Sequence, residues 1–317
     1  MHLKQWLVRV TAFLRCRVVI LMYHRVFETS SDPWELCVRP KHFAEHLEIL
    51  RKDYLVLSLH KLLRTLKDAQ LPKRGVVLTF DDGYADNLWN AKPLLEKYEL
   101  PATVFITSGS LDCPTEFWWD DLERILLQPR KLPKHLQLSV QERFYEWPIK
   151  SSDDRQLAYM AIHQILQPLK PSDRNRAIAA LFAWADMDPM ARPDYRPLTT
   201  DELIQLAQSE FVDIGAHSVT HPLLAGMSQA DQIADIAASR QKLEAILGSS
   251  VDTFSYPYGN LTCDTVAAVE AAGFEAGLTI AGNAVEVGAN PFRLGRFGVG
   301  DSDGDRFKYR LEEFFRC

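Results

Sequence analysis

The strongest constraint on this chain is the alternation of short apolar runs with longer helical patterns. Residues 18–23, 75–80, 102–107, 211–216, 253–256 and 276–280 are rich in β-branched and aromatic side chains and read as strands. Their nearly continuous hydrophobicity marks strands covered on both faces, as in a parallel sheet. Between them lie helical stretches at residues 40–53, 85–98 and 230–247, the last opened by a Ser228 cap and closed by Gly248. Repeated strand-then-helix units of this kind favour an α/β barrel or a doubly wound sheet.

One interval breaks the rhythm. About a hundred residues separate the strand ending near Thr107 from the one opening at Phe211, far more than a single crossover needs. The segment from about residue 112 to residue 197 therefore reads as an insertion. It is expected to be mostly helical, over residues 120–127, 154–167 and 172–184, with Pro-rich breaks from Pro129 to Pro197. Thr199 with Glu202 makes a capping box that restarts the regular pattern. A length of 317 residues suits one large domain carrying this insertion. The balance of 36 Lys and Arg against 42 Asp and Glu, a formal charge of −6, gives no steer toward nucleic acid.

The five cysteines (Cys16, Cys37, Cys113, Cys263 and Cys317) are odd in number and scattered, which reads as reduced thiols. Lys4, Arg9, Arg15 and Arg17 interrupt every candidate secretory core before residue 18, so a cytoplasmic location is expected. Residues 1–16 place Leu3, Trp6, Leu7, Val10 and Leu14 at helical spacing among positive charges. That pattern fits an amphipathic helix packed on its own domain, or one resting on the inner membrane surface. Residues 17–317 form the remaining domain.

The chemistry gathers at strand ends. Val76-Val77-Leu78-Thr79-Phe80 runs into Asp81-Asp82-Gly83-Tyr84, placing adjacent carboxylates where α/β folds collect ligands, although Asp-Asp-Gly also suits a plain turn. The strand at 211–216 runs into His217-Ser218-Val219-Thr220-His221. If that segment turns helically, both imidazoles share a face and suit one metal ion, since imidazole with carboxylate is a usual catalytic zinc set. His24 ends the first strand, where a structural bond to a loop is the plainer reading. Tyr256-Pro257-Tyr258-Gly259 fixes a turn that can aim backbone N–H groups at an oxyanion.

In this order the segments Thr79 to Tyr84, His217 to His221 and Tyr256 to Gly259 resemble the three motifs of the polysaccharide deacetylases, the carbohydrate esterases that share the NodB homology domain. The resemblance implies a distorted (β/α)7-type barrel, here with the insertion at about 112–197 added. It implies that Asp82, His217 and His221 hold one divalent metal ion, usually zinc, and that Asp81 is the base deprotonating a water held by that metal. It further implies an oxyanion donor in the backbone N–H of Tyr258 and a general acid in His24, which follows Tyr23 as in members with a Tyr-His motif. The implied reaction removes the N-acetyl group of an amino sugar in a glycan or glycan precursor. The partner is then an acetylated amino sugar.

One position departs from the family. Ser255 stands where the third motif usually carries an Arg that orients the base, and Leu294-Gly295-Arg296 resembles a later Leu-Pro-Arg element whose arginine could pair with Asp81 instead. The same departure motivates an alternative, a catalytically inactive sugar-binding protein on a deacetylase fold. A glycosidase using Asp81 and Asp82 is disfavoured, because adjacent residues seldom flank one sugar ring and the histidines would have no task. Phe117-Trp118-Trp119 could present a sugar platform or anchor the insertion. Asp301-Ser302-Asp303-Gly304-Asp305 reads as a polar turn, because Arg306 occupies the position where a calcium loop needs glycine.

Overall fold

In the computed structural model, which describes residues 16–317, the apolar runs become parallel strands. In chain order the strands are β1 (Val18–Tyr23), β2 (Arg25–Val26), β3 (Cys37–Val38), β4 (Leu55–Val56), β5 (Gly75–Phe80), β6 (Ala102–Ile106), β7 (His135–Val140), β8 (Arg143–Pro148), β9 (Val212–Ala216), β10 (Thr253–Ser255), β11 (Ala276–Leu278) and β12 (Phe297–Gly298). The main sheet runs β11-β10-β9-β6-β5-β1-β12, with β4 beside the start of β5. Leu294 bridges Leu278 of β11, and just beyond it Phe297 and Gly298 pair with Leu21 and Met22 of β1. One segment thus touches both ends of the sheet, which curls into the half-barrel of the (β/α)7-type fold. A doubly wound sheet would leave those ends apart.

Both faces of the central strands are buried, and alternate residues enter different cores. Val19, Leu21 and Tyr23 of β1, with Val76, Leu78 and Phe80 of β5, pack against helix residues such as Phe43, Leu47, Leu95 and Leu243. Val18 and Ile20, with Val77, pack with Phe105, Ala276 and Leu278 on the opposite, inner face. This period-2 division follows from the pleat. Continued past the strand ends, the same parity directs His24 and Asp81 inward; Met22 and Thr79, the residues two before them, are register partners. Burying each such Leu, Val or Phe is worth about 1.5–3 kcal/mol.

The helices expected at 40–53 and 230–247 are found as Pro40–Asp53 and Gln229–Leu247, the latter capped by Ser228 and ended by left-handed Gly248. The stretch at 85–98 differs. Residues Asn87–Ala91 form a widened turn in which Lys92 N–H bonds back to Asn87 O, before a regular helix over Lys92–Tyr98. Pro93, which has no N–H to donate, stands at that junction, and widened turns of this kind are frequent at functional sites.

The insertion holds helices at Trp118–Leu126, Ser152–Leu166 and Pro171–Ala185, close to expectation. It also holds an antiparallel hairpin of β7 and β8, so "mostly helical" is too simple a description. Its signal lay in the alternation of buried Leu136, Leu138 and Val140 with exposed His135, Gln137 and Ser139. These elements share a second core of Leu122, Ile125, Leu138, Tyr159, Ile162 and Leu181, joined to the barrel through Tyr84. The amphipathic pattern at 1–16 lies, but for Cys16, outside the described residues. Among the described residues no helix is long and apolar enough to cross a membrane. All five cysteines are free thiols, and Asp303 caps the helix Gly304–Phe314 by accepting from Arg306 N–H.

Candidate active site

The two adjacent carboxylates diverge because the chain reverses its local hand between them. Asp82 has φ 74° and Gly83 φ 85°, both in the left-handed region, where Asp is tolerated and Gly is at ease. A Cβ on Gly83 would also meet Ile106 Cδ1 at 3.0 Å. The turn is pinned on both sides, by Asp81 N–H to Tyr23 O at 3.0 Å and Thr107 N–H to Asp82 O at 3.1 Å. Strain of this type concentrates where geometry must be held.

Asp82 faces the two histidines. Its Oδ1 lies 3.5 Å from His217 Nε2 and 3.4 Å from His221 Nε2, and all three residues are buried. Two ligands held tetrahedrally at about 2.0–2.1 Å from zinc stand about 3.4 Å apart, so the spacing fits one such ion. Asp82 Oδ1 has no hydrogen-bond partner although it is buried, an orphaned acceptor of the kind a cation satisfies. His217 Nδ1–H donates to Ser255 O at 2.8 Å, which fixes the tautomer and leaves the Nε2 lone pair facing Asp82. Burial pushes His221 down to about 3 against the pull of Asp82, so it is neutral and able to ligate. For His217 burial is outweighed by Asp81 and Asp82, which raise it, so a bound cation competes with a proton there.

The rings do not converge by a helical turn. Ser218 has φ 63° and His221 φ 52°, and the loop closes through His221 N–H donating to Ser218 Oγ at 2.9 Å. Left-handed backbone, not helical periodicity, brings the imidazoles to 4.8 Å between centroids. The loop is tied to the barrel by Ser108 N–H to Ser218 O at 3.1 Å and Gly109 N–H to Val219 O at 2.8 Å.

Asp81 turns the other way, into a fully engaged pair with Arg296. The guanidinium donates to both carboxylate oxygens, Nη1 to Oδ1 and Nη2 to Oδ2, each at 2.7 Å. Ser255 Oγ accepts from Arg296 Nη2 at 2.7 Å and donates to Asp81 Oδ2 at 3.1 Å. Arg296 also donates to Thr279 O and Thr79 Oγ1. The serine at the departing position and the arginine from the chain's end therefore share one network. Burial alone would raise the Asp81 carboxyl; the Arg296 charge, followed by that of His217, holds it well below the usual carboxylate range.

His24 and Tyr258 complete the rim. With Asp81, Asp82, His217 and His221 they line a cavity of about 540 Å³. Asn87, from the widened turn, donates from Nδ2 to His24 O at 2.9 Å and so steadies the strand end. Tyr258 has φ 57°, and its ring stands edge-on to His221 with centroids 4.4 Å apart. Trp119 lies 4.9 Å from the His221 ring and donates from Nε1 to Tyr84 Oη at 2.7 Å, so it both anchors the insertion and lines the cavity. Sequence reasoning missed Met160, His163, Gln164 and Gln167, which line the same cavity. Their i, i+3, i+4, i+7 spacing on one helix was the only available signal.

The family profile described as polysaccharide deacetylase matches residues 68–135 and 162–277, well over half of the chain. The YxkH protein of Bacillus subtilis, provisionally named a polysaccharide deacetylase, is 35% identical over 97 residues, 30% of this chain and 33% of its own length. The poly-β-1,6-N-acetyl-D-glucosamine N-deacetylase of Staphylococcus aureus is 33% identical over 102 residues, 28% of this chain and 35% of that protein. The chain therefore spans well under half the length of these curated relatives. Among solved structures, a Streptococcus pyogenes deacetylase in complex with acetate aligns over 94% of this chain and 99% of its own, with TM-score 0.61 and 18% identity. A de-N-acetylase from Aggregatibacter actinomycetemcomitans aligns over the same shares, with TM-score 0.61 and 17% identity. Identities this low speak for the fold alone.

Proposed function

Since the chain belongs to the polysaccharide deacetylase family, we propose that it hydrolyses the N-acetyl group of an amino sugar with the help of one divalent cation, most simply Zn²⁺, held by Asp82, His217 and His221. The observation that carries this reading is the buried Asp82–His217–His221 set beside a second, ion-paired carboxylate at the floor of one cavity. When bound, the cation would polarise the amide carbonyl and lower the pKa of water toward about 7. Asp81 takes the proton of the attacking water. Because Arg296 and Ser255 hold it ionised and fixed, it is a weak base whose strength lies in position. The backbone N–H of Tyr258 steadies the oxyanion, and His24 hands a proton to the departing amine.

The Arg296–Asp81 pair also supports this reading over an inactive sugar-binding protein, because the orienting arginine reaches the base from the segment just before β12. The S. aureus relative's name makes β-1,6-linked N-acetylglucosamine oligomers the first substrates to try. Acetate release would be followed with purified protein, after chelation, and after adding zinc back. Loss on chelation with return on zinc is expected; turnover that survives removal of all bound metal would overturn the mechanism.

A further inference from the structure

Among the described residues five arginines are buried, and four of them meet a carboxylate: Arg17 meets Glu286, Arg25 meets Asp86, Arg124 meets Asp121 and Glu116, and Arg296 meets Asp81. Arg174, on the insertion helix Pro171–Ala185, is 4% exposed and meets none. Its Nη2 donates to Thr220 O at 3.1 Å, while Nε and Nη1 have no partner. A desolvated guanidinium left this way is costly unless an anion completes it.

Its surroundings are prepared for such an anion. Arg174 lines a cavity of about 290 Å³, ample beside the roughly 30 Å³ of one water, and this cavity shares Trp119 and His221 with the catalytic cavity. Trp118, which lines the same cavity, has a buried Nε1 with no hydrogen-bond partner, and the Oη of Tyr258, which lines the catalytic cavity, is buried and unpartnered as well. His221 Nδ1, on the ring edge away from Asp82, is unpartnered as well. The cavity's two carboxylates are already engaged, Asp121 with Arg124 at 3.2 Å and Glu116 with Arg192 at 2.7 Å.

We propose that this second cavity is a subsite for an oxyanion carried by the substrate, a phosphate or a carboxylate, which Arg174 binds together with Trp118. The inference rests on the deacetylase reading and narrows it to amino sugars bearing a negative group next to the acetamide-bearing ring. Arginine suits the task because its planar fork matches such oxygens.

The test uses zinc-loaded full-length protein, with Arg174→Met and Trp118→Phe variants checked for zinc content and cooperative unfolding. Acetate release would be measured on N-acetylglucosamine 1-phosphate, an N-acetylhexosaminuronic acid and a neutral N-acetylglucosamine oligomer. The wild type should prefer a charged substrate, and the ratio of its kcat/KM to that of the neutral one should fall roughly 10- to 100-fold in Arg174→Met, chiefly through KM, and less in Trp118→Phe. Preference for the phosphate or for the uronate identifies the source of the anion. A ratio unchanged in both variants would overturn the proposal. Calorimetric titration with sulfate separates it from the parent reading. Sulfate bound by wild type and lost in Arg174→Met supports the subsite even if no acetate is released, whereas equal sulfate binding by both proteins refutes it.

Discussion

Replacing Arg296 with Met removes a buried charge from beside Asp81. The side chain is fully buried and donates to Asp81 Oδ1, Asp81 Oδ2, Ser255 Oγ, Thr79 Oγ1 and Thr279 O. Met nearly fills the volume but leaves Asp81 with the Ser255 hydroxyl at 3.1 Å as its hydrogen bond. Breaking a buried pair from one side costs about 3–5 kcal/mol, because the remaining charge is stranded. The pH dependence gives the argument its sharper edge. In the wild type the Asp81 pKa lies below its unfolded value, so the pair's contribution is present above about pH 4 and is lost as pH falls through the folded pKa. In the variant burial acts with less opposition and moves the folded pKa above about 4, so the penalty is relieved in acid as Asp81 takes a proton. Denaturant unfolding of zinc-free wild type and variant should therefore show a gap of about 3–5 kcal/mol near neutral pH that shrinks toward pH 4. A gap below about 1 kcal/mol, or one independent of pH, would refute the reasoning.

Three further outcomes follow from the geometry. Elemental analysis should find near one equivalent of zinc in the wild type and little in Asp82→Ala or in the His217→Ala, His221→Ala double variant; full retention in either would remove these residues from the ligand set. Asp81→Asn and His24→Gln should keep zinc yet each lose about 10²- to 10⁴-fold in kcat, and loss of metal instead would recast both as structural. Gly109→Ala would put a Cβ 2.4 Å from Val219 O in the loop that carries His221. It should cost about 1–3 kcal/mol in stability and weaken zinc affinity measured by competition with a chelator, whereas wild-type affinity would show that the loop is not so tightly held.

What the sequence determined by itself is what depends on near neighbours. Continuous apolar runs at 18–23 and 75–80 fixed buried strands; Asp81, Asp82 and His217 were legible because they stand at strand ends, and His221 because it lies four residues beyond His217. The hairpin at β7 and β8 carried an equally local signal, obscured by the prolines on either side of it. Only the tertiary structure decided what depends on closure of the sheet. Arg296 stands 215 residues from Asp81; the resemblance of Leu294-Gly295-Arg296 to a family element suggested the pairing, but the contact itself forms because the segment from Leu294 to Gly298 touches both β11 and β1. The insertion is the same case. Arg174 reads in the sequence as an ordinary helix position, and only packing against Trp118 and the His217–His221 loop desolvates it without a counter-charge. Local sequence sets which groups can react, but burial and charge pairing between distant segments set their protonation, orientation and unmet hydrogen bonds, because those depend on which surfaces exclude water together.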